Sequence, residues 1–133
     1  MINHPQTAPR ALAAALLLAL AAAAGAQTRS IAPHIGVRVV DGSVQVSSTR
    51  FVLPPGSGTV HWKLTTPDWW FAAGSVDFGE HASAFRCSVG DGGASMSCTR
   101  VGSVSGEVGY RLRLSDGGPL VDLRQPWVYI QLD

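Results

Sequence analysis

The stretch Arg86–Arg100, RCSVGDGGASMSCTR, contains both cysteines of the chain, Cys87 and Cys98, on either side of Asp91-Gly92-Gly93-Ala94. Laid out as an antiparallel pair, Cys87 faces Cys98. The pairs 88/97, 89/96, 90/95 and 91/94 then follow toward a turn at Gly92-Gly93. Gly-Gly suits a two-residue hairpin turn because neither residue carries a Cβ to obstruct positive φ; a four-residue loop over 91–94 keeps the same symmetry. Directly opposed residues lie about 4.5–5.5 Å apart at Cα, within reach of a disulfide. Alternation sets the faces: Phe85, Cys87, Val89, Met96 and Cys98 on the apolar side, Arg86, Ser88, Ser97 and Thr99 outward. A Cys87–Cys98 bridge on the core face of a hairpin is therefore expected. One C-x(10)-C supplies neither the four ligands of a structural zinc site nor the C-x-x-C of a thioredoxin-type pair.

A disulfide implies an oxidising compartment, and the N-terminus points the same way. Arg10 precedes the uncharged run Ala11–Ala24, and Ala24-Gly25-Ala26 has the small-x-small pattern of a cleavage site. Those three features together read as a signal peptide over residues 1–26. The run is 14 residues long, against the ~20 needed to span a bilayer. The expectation is thus an exported protein, periplasmic or extracellular, with no membrane span after cleavage and one mature domain over 27–133. Removing 1–26 takes one of the ten Lys/Arg, Arg10, and leaves nine against nine Asp/Glu. A neutral chain without a basic block has no electrostatic footprint for nucleic acid.

The same period-2 alternation runs through the rest of the chain, punctuated by Gly and Pro. It predicts strands over 35–40, 44–47, 50–53, 59–65, 84–89, 95–101, 107–115, 120–123 and 127–132. Eight or nine short strands in one domain predict an all-β, antiparallel sandwich, immunoglobulin-like or similar, with a small barrel as the alternative. Residues 67–83, PDWWFAAGSVDFGEHAS, resist this reading and suit either a short helical turn or a long inter-sheet loop.

That resistant segment also holds the candidate functional residues. In extended chain, Trp69 and Phe71 cannot share a face with Trp70, so at least one large aromatic is exposed or lies under a loop. One reading packs Trp62, Trp127 and one of Trp69/Trp70 into the core. The other makes Trp69, Trp70 and Phe71, with the loop through His81, a binding patch for a protein or glycan partner. Asp77, Glu80 and His81, joined by His61, are the candidates for metal or acid–base chemistry. However, no H-E-x-x-H, G-x-S-x-G or phosphate-binding loop accompanies them, and a solvated loop is the simpler reading.

The order Trp62-x-Leu64, an aromatic and glycine stretch, paired cysteines, Tyr110-Arg111-Leu112-Arg113-Leu114, Asp116-Gly117-Gly118 and Pro126-Trp127-Val128 resembles short exported bacterial β-domain proteins of unknown function. The resemblance covers about residues 58–130 and implies a compact β-domain with one disulfide. It carries over no catalytic residue. The expected role is that of a non-catalytic binding or accessory domain without a cofactor. A carbohydrate-binding module using Trp69/Trp70 and a small hydrolase or metal protein using Asp77/Glu80/His81 are the alternatives.

Overall fold

Alternating apolar residues make each strand amphipathic, and two sheets bury their apolar faces against each other. The computed structural model describes residues 34–53 and 58–132, so the expected signal peptide lies outside the described residues. The strands are β1 (Ile35–Val40), β2 (Ser43–Val46), β3 (Arg50–Leu53), β4 (Thr59–Leu64), β5 (Val76–Asp77), β6 (Phe85–Gly90), β7 (Ser95–Arg100), β8 (Gly106–Ser115), β9 (Leu120–Asp122) and β10 (Val128–Leu132). One sheet, sheet A, has the order β2-β1-β4-β7-β6; the other, sheet B, has β3-β10-β8-β5, with β9 also paired to β8. These strands lie in one compact unit, Pro33–Asp133. No helix among the described residues is long and apolar enough to cross a membrane.

The fold is all-β and sandwich-like, but its sheets are mixed rather than antiparallel throughout. β1 runs parallel to β4, and β3 runs parallel to β10. After the β1–β2 hairpin the chain crosses to sheet B as β3 and returns as β4. Each crossing adds a strand whose direction the local pattern does not encode. The β1–β2 turn, by contrast, is fully local. Asp41 and Gly42 both take positive φ, 51° and 73°, the two-residue geometry that matches strand twist in a tight hairpin.

The expected hairpin register is present. Cys87 pairs with Cys98 and the ladder ends at Gly90–Ser95, leaving 91–94 as a four-residue loop. The disulfide is formed, with 4.0 Å between the two Cα atoms. The faces differ from expectation on one side. Cys98 and Met96 are fully buried, whereas Cys87 is exposed and Val89 is 41% exposed. β6 is the edge strand of sheet A, and its inner side is covered only where another element crosses it. That happens at Phe85, which stacks on Phe78 at 3.9 Å between ring centroids.

Trp62 lies at the centre of the core. It is fully buried on β4, edge-on to Tyr110 of β8 at 5.4 Å, and its indole N–H donates to the Tyr110 hydroxyl at 3.3 Å. This contact joins the two sheets. Burial pushes the Tyr110 phenol up to about 12, against the lowering effect of that hydrogen bond.

Candidate functional site

Two aromatic regions compete for the role of site, and the backbone around each decides what it can do. The first is Trp69-Trp70-Phe71, in the connection from β4 to β5. Phe71 is 3% exposed and belongs to the core, and Trp69 is half-buried against it. Trp70 is 39% exposed but closely held. Its N–H donates to the Ser115 carbonyl at 2.8 Å, and the Ser115 N–H donates back at 2.9 Å. The following residue, Phe71, donates to the Gly93 carbonyl at 2.8 Å. The Trp70 side chain fills the space beside Gly93, where a Cβ would stand 2.9 Å from Cδ1. Trp70 therefore wedges the disulfide hairpin's turn against sheet B. A depression of about 270 Å³ remains beside it, lined by Leu64, Asp68, Trp69 and Gly92 among others.

His81 lies elsewhere, so the proposed patch divides. Asp77 ends β5, and Gly79–Ala84 forms a 3-10 turn leading into β6. The Asp77 carboxylate accepts the Gly79 N–H at 2.8 Å, and Glu80 and His81 face each other at 3.6 Å. Asp77, Glu80 and His81 do line one cleft, of about 400 Å³. His61 does not join them: it projects from the outward side of sheet A, hydrogen-bonded to the Ser97 hydroxyl at 2.9 Å. Among the described residues no three His, Cys, Asp or Glu side chains gather as a metal site.

Trp127 also lines that cleft, where the core reading of the sequence expects it in the interior. It is 68% exposed. Val128, Ile130 and Leu132 take the inner face of β10, so the residue before them projects outward by simple alternation. Its six-membered ring occupies the space above Gly109 on β8, where a Cβ would stand 2.6 Å from Cη2. Only glycine leaves that space open. Trp127 also lines a second cleft of about 640 Å³, together with Leu123, Arg124, Gln125 and Pro126 among others. Both clefts share Tyr110, Arg111 and Trp127.

The segment carrying Trp127 is fastened at two points. The Gln125 amide completes the ladder of β8 between β9 and β10: its oxygen accepts the Leu112 N–H at 2.8 Å, and its nitrogen donates to the Leu112 carbonyl at 2.8 Å. The Arg124 carbonyl accepts the Val44 N–H at 2.7 Å, tying the segment to β2. Asp77, Glu80 and Glu107 line the first cleft, Arg124 lines the second, and Arg111 lines both. Strand parity alone turns Trp127 outward, whereas its seat over Gly109 follows from the β8–β10 register, in which Gly109 pairs with Tyr129. No protein-family model matches the chain, and a search of curated proteins finds no relative.

Proposed function

We propose that this protein is an exported, non-catalytic binding domain whose ligand seats on Trp127 between the two clefts. The observation that carries this reading is the exposure of a tryptophan on a fastened segment, 68% open to solvent over a glycine. A large side chain left in water loses much of its possible burial energy, and binding recovers it. A preformed platform also lowers the ordering cost of association. The titratable groups nearby are engaged in building the 3-10 turn, with Asp77 accepting the Gly79 N–H and Glu80 paired with His81. Those roles favour binding over hydrolysis. Export rests on the leader pattern of residues 11–26, and a disulfide-bonded hairpin is compatible with it.

Intrinsic fluorescence against a panel of oligosaccharides, short peptides and nucleotides tests the site. The expected result is a saturable change with at least one class that disappears in Trp127→Ala and persists in Trp70→Phe. A response that survives loss of Trp127, or turnover of the ligand, would remove this reading.

A further inference from the structure

We infer that the ligand is a neutral oligosaccharide, with one pyranose ring stacked on Trp127 and adjoining units lying along the two clefts. This rests on the binding reading above and adds the ligand's chemistry. A pyranose presents a face of C–H groups, which suits the electron-rich face of an indole. Its equatorial rim presents hydroxyls that both donate and accept, so it needs acceptors and donors around the ring at once. The two clefts that meet at Trp127 offer both: Asp77, Glu80 and Glu107 line the first, Arg124 lines the second and Arg111 lines both.

Charge narrows the class further. A polyanion lying along both clefts would meet Asp77, Glu80 and Glu107 in the first, where only Arg111 and His81 offset them, and a lysine-rich peptide on the same path would meet Arg111 and Arg124 in the second. Like charges at such range oppose binding, whereas an uncharged polyol meets no such opposition. Among the described residues Arg111 makes one side-chain contact, an exposed one to Asp122 at 3.7 Å with both side chains more than half exposed, which leaves its guanidinium accessible to a ligand. Gln125 is excluded as a contact because its amide already closes the β8 ladder. The shared residues Tyr110, Arg111 and Trp127 join the two clefts, of about 400 and 640 Å³, side by side.

Calorimetric titration of the mature protein with cellohexaose, chitohexaose, maltohexaose and xylohexaose tests the inference. A galacturonic acid oligomer, ATP and a lysine-rich peptide serve as charged counterparts. At least one neutral hexaose is expected to bind saturably, with affinity falling about 30-fold or more in Trp127→Ala and staying near wild type in Trp70→Phe. Gly109→Ala, which pushes the indole off its seat, is expected to weaken binding while leaving the far-UV spectrum unchanged. If a charged ligand alone binds in a Trp127-dependent manner, the sugar assignment falls and the binding site stands. If nothing binds in a Trp127-dependent manner, both fall.

Discussion

Trp70 and Trp127 are both large, partly solvent-exposed indoles packed on a glycine, yet they do different work. Trp70 sits on Gly93 with its own backbone bonded to Ser115 and its neighbour's to Gly93, so two turns from opposite sheets close over it. Trp127 sits on Gly109 with most of its surface in water, and the bonds that fix its segment belong to Arg124 and Gln125. Exposure alone does not mark a site. The distinction lies in whether neighbouring chain needs the indole for its own packing. At Trp70 it does, and at Trp127 it does not.

The hairpin beneath Trp70 is held by the Cys87–Cys98 bridge. Closing the loop between Cys87 and Cys98 restricts the unfolded chain by about 3 kcal/mol in the chain-entropy model. The double variant Cys87→Ala/Cys98→Ala is expected to lose about that much in urea unfolding, with Trp127-dependent binding retained at temperatures where it stays folded. Loss of both together in a still-folded variant would mean the two regions are coupled. Trp70→Ala is expected to cost about 2–3 kcal/mol, from lost burial and the gap left at Gly93. A cost below about 0.5 kcal/mol would show that the two turns close without it.

Tyr110 sharpens the contrast from beneath, since it lines both clefts yet is only 5% exposed. Its phenol ionises at about 12 in the folded protein, against 10.0 when exposed. The unfolded chain therefore releases its proton first. This contribution to stability is fully present below pH 10 and is lost as pH rises through about 12. Wild type is expected to lose on the order of 2 kcal/mol more than Tyr110→Phe across that window. Equal slopes would mean that water reaches the phenol from the clefts. The smallest expected effect is Trp127→Ala on stability itself, about 1 kcal/mol or less, because most of the indole is already solvated. A larger loss would make Trp127 a second structural wedge.

Local alternation made most of this fold legible. The register from Cys87–Cys98 to Gly90–Ser95 and the Asp41-Gly42 turn follow from residues close in sequence, where turn chemistry and period-2 pattern agree. The parallel pairs β1–β4 and β3–β10 were not legible, because they depend on which sheet the chain joins after β2. Two-residue β5 is too short to carry a pattern. The exposure of Cys87 follows from β6 being an edge, which is a property of the whole sheet. Within the candidate site, the cleft residues Asp77, Glu80 and His81 were singled out from their clustering. Phe71 groups with Trp69 and Trp70 by adjacency in sequence, though its side chain turns into the core. Trp127 was hidden by its place beside the strongly apolar Val128, Ile130 and Leu132, whose alternation in fact turns it outward.

The most direct measurement follows the indole N–H signals of Trp62, Trp69, Trp70 and Trp127 by heteronuclear NMR during titration with the tightest-binding neutral hexaose. If Trp127 is the seat, its indole and the Gly109 and Arg111 amides shift saturably while the indoles of Trp69 and Trp70 stay in place. Movement of Trp69 and Trp70 with Trp127 unchanged would contradict that assignment.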